Sequence, residues 1–556
     1  MAKDARIGVF ICRCGGKIDQ FIDVEQLEKE ATILSQVSAV YVMDFPCSIK
    51  GREDIKKIIG EEKLNRLVIA GCTPRTHQKL FGSLCLEAGL SRFAFEMANI
   101  REQCAMVHKE NKSSALEKAK ALLRMAIAKA SHIMPENIRE VEITPAAVVI
   151  GAGIAGMNAA LALSRRGIPV SLVERERKMG GLLRSLYMLY PNFIKASQLL
   201  KELINQVKAQ LNIDVYLNAE VKNINGYIGN YRINLQSNGK ESTLNCGSII
   251  VATGARIFEP EGLFNYDKKK VITQLQLEKK LKDNKVDSND VIMIQCVGCR
   301  NEERPHCCRI CCLTAVKNAF LIKQKKPEAK ITLLFRDLQS EYLDIFSQAR
   351  ESGINFSRYS PDKLPQVKAG KVEVYDLLSQ KKRQIPYDLI VLSTPLVPRE
   401  DAPKLAKKLK IPLDDDGFLP QVQTMLKPEE FISNGIYICG CAHWPAFIDE
   451  SIFQAKLAAS RALFFLSKGK IEFEAPVCSV REDLCRGCAT CVEACEFNAA
   501  ELVEKSDGVF VSTINPALCN GCGTCASLCP TGAIIDNSFT DQQISKMLDI
   551  LFASSF

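Results

Sequence analysis

Short apolar runs and helix-period patterns alternate along most of this chain. Residues 147–150 form an apolar run that predicts a buried strand. A helical pattern follows to about residue 166, and residues 170–173 predict a second strand that leads into Glu174. A helix is expected over 193–211 and a third strand at 248–251. The N-terminal stretch repeats the scheme, with strands expected at 6–11, 39–43, 66–70 and 93–97 between helical patterns. A long helix at 113–130 comes next, and Pro135 and Pro145 mark the linker after it. Further strands are expected at 291–295 and 387–392, and helices at 449–465 and 542–551. Alternating strands and helices build parallel sheets, so the expected class is α/β. At 556 residues and 47% hydrophobic content, the chain has room for three or four domains with full cores.

The first of these units carries phosphate-binding chemistry. Gly151, Gly153 and Gly156 follow the strand at GxGxxG spacing. The first glycine permits a tight turn, the second lets backbone approach a pyrophosphate, and the third lets helix pack on strand. The helix N-terminus at Ile154 and Ala155 then faces the phosphate charge. Glu174 stands where an acid binds a ribose hydroxyl, with Arg175 beside it. Strand, helix, strand and acid in register predict a dinucleotide site. Gly180 and Gly181, and Ala252-Thr253-Gly254 after the third strand, resemble the FAD branch of flavoproteins with two dinucleotide domains.

A second nucleotide-type unit is expected from the strand at 291–295, where pyridine-nucleotide flavoenzymes place a glycine-rich loop for NAD(P)H. Here only Gly298 remains, and cysteines occupy 296, 299, 307, 308, 311 and 312. A pyrophosphate needs bare amides at that turn, and crowded thiolates would repel it. An iron–sulfur cluster is therefore expected in place of the nicotinamide site. Cys311 and Cys312 open a helix that carries Lys317; on helix geometry alone Lys317 reads as a solvated lysine, the commoner fate. Near the end of the unit, Gly440-Cys441 stands where two-domain flavoproteins have Gly-Asp. Asp449 and Glu450 then cap the following helix or lie close to the flavin, with capping the safer reading.

With 24 cysteines and an N-terminal apolar segment too short for a secretory leader, the cytosol is the expected compartment and metal clusters the expected use of sulfur. No membrane span is expected, because Lys or Arg interrupts every candidate run. In the N-terminal unit Cys12, Cys14, Cys47 and Cys72 follow the first three strands, and Cys104 lies past the fourth. Parallel strands end at one edge, so these residues are expected to converge there on a [4Fe-4S] cluster. Five cysteines compete for four places, so one is surplus. Pro74 suits the first turn of a helix whose dipole favours an anionic cluster. Cys85, inside a helical pattern, is expected to pack.

The last segment holds the most specific motif. Cys485, Cys488, Cys491 and Cys495, then Cys519, Cys522, Cys525 and Cys529, stand at the spacing of a two-cluster bacterial-type ferredoxin. The fourth cysteine of each run is expected to serve the other cluster. Glu496 stands where proline often follows. The net charge of +9 hides an asymmetry: residues 471–556 hold 4 Lys+Arg against 12 Asp+Glu. The basic remainder is read mostly as solvated surface, with no basic–aromatic pattern for nucleic acid.

Taken together, VFICRCGG, CTPRTH, FEMANIRE, GAGIAG, QCVG, CCRICCLTAVK and the two ferredoxin runs resemble the A-type subunit family of heterodisulfide reductase over almost the whole length. The resemblance implies a thioredoxin-reductase-like flavoprotein with two dinucleotide domains, preceded by a small α/β cluster domain and followed by an α+β ferredoxin domain. The expected boundaries are 1–135 for the N-terminal domain, 146–280 with 399–470 for FAD, 281–398 for the second unit and 471–556 for the ferredoxin domain. It implies one FAD and four [4Fe-4S] clusters, with Cys296, Cys307, Cys311 and Cys312 as middle ligands. Cys299 and Cys308 fall where the family usually has serine and are implied to be extra thiols. It also places Lys317 close to the flavin N5 as a catalytic candidate. The implied activity is oxidoreductase electron transfer, often flavin-based bifurcation. The implied partners are B- and C-type subunits, a donor module and ferredoxin, in dimers of assemblies. Methanogen members carry a further ferredoxin domain inserted in the flavin domain; here residues 226–254 run on without a cluster motif, and Pro395 replaces a usual glycine.

Overall fold

The structure is a computed structural model that describes residues 5–133, 139–237, 239–339, 344–409, 411–420, 435–473, 478–506, 508–516, 518–519, 521–537 and 539–553. Pro135 lies outside the described residues. The chain divides into two compact units: residues 1–141 with 472–556, and residues 142–471.

The larger unit holds two five-stranded parallel sheets. In the first, Ile213–Tyr216, Val170–Val173, Ala147–Ile150, Ser248–Val251 and Ile436–Ile438 lie side by side in that order. Every residue of Ala147–Ile150 and Ser248–Val251 is buried, which is why their sequences are apolar apart from Ser248. The helices Ile154–Ser164 and Ile448–Leu466 pack against each other on this sheet through small residues, among them Ala159, Ala455, Ala458 and Ala462. The second sheet orders Val271–Thr273, Leu389–Leu392, Asp290–Ile294, Lys330–Phe335 and Ile354–Arg358. Each sheet is accompanied by an antiparallel three-stranded one, at Ala219–Tyr227, Asn230–Ser237 and Lys240–Cys246, and at Gln366–Lys368, Lys371–Asp376 and Lys381–Pro386. The first of these occupies the stretch read as lacking an inserted ferredoxin domain; its one cysteine, Cys246, is fully buried.

In the smaller unit the strands Ile7–Cys12, Val37–Met43, Arg66–Gly71 and Phe95–Asn99 form a parallel sheet with Ile7–Cys12 and Arg66–Gly71 in the middle. Helix Pro74–Glu87 starts at Pro74 under a Thr73 cap. The C-terminal segment pairs Cys478–Val480 with Ile534–Asp536 and folds Ala500–Ser506 back on Val509–Ile514. Two short helices, Thr490–Ala494 and Thr524–Leu528, each begin after a left-handed residue, Ala489 and Gly523. The final helix, Asp541–Ala553, packs on Lys112–Ala130: Gln543 Nε2 donates to the His132 carbonyl at 3.2 Å, and Lys129 Nζ lies 4.3 Å from the centre of the Phe539 ring.

Candidate functional site

In the larger unit a cavity of about 790 Å³ opens at the carboxyl ends of the first sheet. Gly151, Gly153, Ile154, Ala155, Glu174, Arg175, Gly180, Gly181, Ala252, Thr253, Gly254 and Cys441 all line it. Gly156 and Gly440 do not; they shape the wall from behind. A Cβ on Gly156 would sit 1.7 Å from the Gly151 carbonyl oxygen, so the helix can meet the turn only through glycine. At Gly153 nothing lies within 4 Å of that position, and the backbone there is bare toward the cavity. Glu174 is buried, and its Oε2 accepts from the Ala152 amide at 2.8 Å while Oε1 accepts from the Glu176 amide at 2.9 Å. It therefore holds the glycine turn in shape as well as facing the cavity. Gly440 N donates to the buried Gln454 Oε1 at 2.8 Å, and Cys441 Sγ contacts the Ala446 carbonyl at 3.5 Å. These features fit a dinucleotide: bare amides at a helix N-terminus, an acid at the strand end and a cavity of ample volume.

Lys317 is not a solvated lysine. It is 5% exposed, lines the same cavity, pairs with Glu278 and donates to the Met188 carbonyl at 3.0 Å. Burial pushes the Lys317 ammonium below its usual value, and the Glu278 carboxylate partly restores it. Glu278 Oε2 also accepts from the Tyr187 amide at 2.7 Å. Glu278 was missed in the sequence because it lies on helix Gln274–Lys282 among surface-type residues; only the fold turns it inward. Glu450 takes the capping role: its Oε2 accepts from the Phe447 amide at 2.8 Å and its Oε1 from Arg309 at 2.8 Å. Asp449 lines the cavity.

Six thiols gather directly beyond this wall. Cys299 is a close neighbour of Cys296 and of Cys308, Cys308 of Cys311, and Cys311 of Cys312. Cys307 is an electrostatic neighbour of Cys296 and Cys312, and its sulfur accepts from the Arg309 amide at 3.4 Å. Cys311 is also a cavity residue, so the nest and the cavity share the N-terminus of helix Cys311–Lys325. Arg300, bridged to Asp337 at 2.8 Å, contacts Cys296 and adds positive charge. Gln295, wholly buried beside Cys296, has neither amide atom paired among the described residues. The turn that follows strand Asp290–Ile294 is thus filled by sulfur.

In the smaller unit Cys12, Cys14, Cys47 and Cys72 are electrostatic neighbours at the sheet edge. Burial pushes the Cys72 thiol up to about 11, with Arg101, whose Nη1 lies 3.9 Å from the sulfur, opposing it. Cys104 is fully buried in the π-helical turn Arg101–Ala105, in the core cluster that holds Cys12 and packs against Cys14, with Lys118 as its charged neighbour. Cys85 is buried in the core on the other face of the sheet. In the C-terminal segment Cys488 neighbours Cys529, and Cys491 neighbours Cys485 and Cys488, the crossed grouping read from the spacing. Backbone amides point at sulfur there: Ser512 to Cys485 at 3.3 Å, Ala499 to Cys495 at 3.2 Å and Gly521 to Cys519 at 3.5 Å. A ninth cysteine, Cys478, escaped notice for want of a motif; its thiol meets Cys519 and Cys525 and holds them down at about 6 and about 7. Among the described residues no three His, Cys, Asp or Glu side chains could hold a single metal ion. Cysteine thiolates are the usual ligands of four-iron clusters, so the gathered sulfurs are the right donor chemistry for them.

A family profile for pyridine nucleotide-disulphide oxidoreductases matches residues 145–294, and one for 4Fe-4S dicluster domains matches residues 484–533. An A-type iron–sulfur subunit of the CoB–CoM heterodisulfide reductase of Methanopyrus kandleri is 34% identical over 99% of this chain and 98% of its own. The chain belongs to the A-type subunit family of heterodisulfide reductase. The corresponding subunit of Methanocaldococcus jannaschii is 32% identical over 98% of each chain. The A-type subunit of the H2:CoB–CoM heterodisulfide,ferredoxin reductase of Methanothermobacter thermautotrophicus is 31% identical over 92% of each. The Methanopyrus alignment runs over 661 positions against the 556 residues here, so that relative carries residues this family member lacks. Among solved structures, thioredoxin reductase of Lactococcus lactis aligns with 58% of this chain and 99% of its own at 19% identity and a TM-score of 0.43. This member is thus an oxidoreductase subunit of the iron–sulfur flavoprotein class, an α/β two-dinucleotide-domain fold with a C-terminal 4Fe-4S domain. Among the described residues, no helix is long and apolar enough to cross a membrane.

Proposed function

We propose that this chain is the electron-transfer subunit of a heterodisulfide-reductase-like complex, splitting an electron pair from a donor module between ferredoxin and a disulfide- or other substrate-reducing partner subunit. The carrying observation is the shared helix Cys311–Lys325, which presents thiols to the nest and Lys317 to the dinucleotide cavity. FAD, when bound, takes electrons in pairs and releases them singly, and clusters carry them one at a time. The glycine turn and Glu174 would hold the dinucleotide. Cys296, Cys307, Cys311 and Cys312 would hold the middle cluster, four of Cys12, Cys14, Cys47, Cys72 and Cys104 the N-terminal one, and the eight motif cysteines two more. Of the five, the electrostatic grouping favours the first four. The Lys317–Glu278 pair keeps a cation out of water at the cavity wall, where Lys317 can hold or pass a proton. The relatives, which include the A-type subunit of a ferredoxin:CoB–CoM heterodisulfide reductase from Methanosarcina mazei, support these partners by what they are named for.

The test is an anaerobic preparation of the full chain. About sixteen irons with one FAD are expected, and neither NADH nor NADPH should bleach the flavin. Rapid bleaching by either would overturn the replacement of the nicotinamide site. Two widely crossed one-electron flavin potentials would support splitting of the pair; uncrossed ones would favour a simple relay to a quinone-interacting or similar complex.

A further inference from the structure

The sulfur nest of the larger unit holds more ligands than a [4Fe-4S] cluster uses. Cys299 and Cys308 are the middle links of its contact chain: Cys299 lies between Cys296 and Cys308, and Cys308 between Cys299 and Cys311. Their exposure is 1% and 0%, deeper than Cys296 or Cys311 at 4%. A body that fills the space among Cys296, Cys307, Cys311 and Cys312 meets these two thiols as well. The backbone is shaped for this convergence. Cys296, Arg300 and Arg309 adopt left-handed conformations, at φ of 57°, 55° and 57°, which non-glycine residues take at a cost that packing must offset. Gly298, also left-handed, has Phe258 against it: a Cβ there would come within 2.3 Å of the ring.

Resting on the reading of this nest as a cluster site, we propose that Cys299 and Cys308 are ligands too, so that six thiolates hold one four-iron cluster with one inorganic sulfide fewer than a [4Fe-4S] core. The exchange balances. One sulfide carries two negative charges and bonds three irons; two thiolates carry the same charge and, with one of them bridging two irons, make the same three iron–sulfur bonds at unchanged iron oxidation states. The two protons leave with the sulfide as hydrogen sulfide during assembly. The geometry suits it, because Cys299 and Cys308 are already close neighbours within the nest.

The test is native mass spectrometry of the full chain purified without oxygen, with iron and acid-labile sulfide measured on the same sample. We expect one sulfide fewer than iron in the unaltered protein. The Cys299→Ser/Cys308→Ser variant should gain the mass of one inorganic sulfur, beyond the substitutions themselves, and bring sulfide and iron to parity. Parity in the unaltered protein overturns the proposal, and so does a deficit that survives in the double variant. If the variant does not fold, the sulfide count of the unaltered protein decides. A chain with only about twelve irons and an empty nest overturns the cluster reading of this site together with the proposal, and is told apart from simple parity by the iron count.

Discussion

Lys317 shows how far a residue's meaning depends on its surroundings. In the sequence it sits in an ordinary helical stretch; in the fold it is an ammonium buried against Glu278 at the cavity wall. Removing one member of a buried pair strands the other charge. Lys317→Met is therefore expected to lower unfolding free energy by about 3 kcal/mol, read from a denaturant midpoint, and Lys317→Met with Glu278→Gln to restore most of it. Equal losses in both would show that the ion pair is not what the site depends on. His443 offers a second check on a single side chain. It is 6% exposed with Nδ1 on the Leu419 carbonyl at 3.1 Å, and burial pushes it down to about 4. Its folded value lies below its unfolded one, so the unfolded chain binds the extra proton in between. Stability is expected to fall as pH drops from about 6.5 to about 4, by about 3 kcal/mol from this group, and to show no such fall in His443→Gln.

Among the elements, the glycine turn and the helix after it were legible from spacing alone. Residues 147–150, 170–173 and 248–251 are strands at the positions expected, and the helix runs Ile154–Ser164. Short, wholly buried parallel strands leave an unmistakable trace, since both faces must be apolar. Gly156→Ala tests the element directly: with 1.7 Å to the Gly151 oxygen, the turn must distort. FAD content should fall more than tenfold while most iron stays bound; iron and flavin lost together would instead mean collapse of the whole unit. Legibility was poorer where chemistry came from contact and not from pattern. Five N-terminal cysteines looked alike in sequence, yet Cys104 sits in a π-helical turn with Lys118 as its charged neighbour, while Cys12, Cys14, Cys47 and Cys72 neighbour one another. Cys478 belongs to no motif, and only the pairing of Cys478–Val480 with Ile534–Asp536 brings it to Cys519 and Cys525.

Across the molecule, the first and last parts of the chain fall in one compact unit. Within it the terminal helix Asp541–Ala553 packs on Lys112–Ala130, and Gln543, 1% exposed, bonds the His132 carbonyl. Ending the chain at residue 540 should therefore lower the thermal midpoint of this unit by several degrees, given about 1 kcal/mol or more for the lost bond and buried surface. The flavin absorbance of the larger unit should be unchanged. An unaltered midpoint would mean that the last helix adds nothing to the unit it covers.

Features encoded locally could be read along the chain: strands by apolar runs, the phosphate turn by three glycines and an acid, and the ferredoxin-type segment by eight cysteines at fixed spacing. These need only neighbours in sequence. Folding alone settled which distant groups share a space: Glu278 with Lys317, and Cys478 with Cys519 and Cys525. Hydrogen bonds and burial are set by contacts across tens or hundreds of residues, and no periodicity along the chain records them.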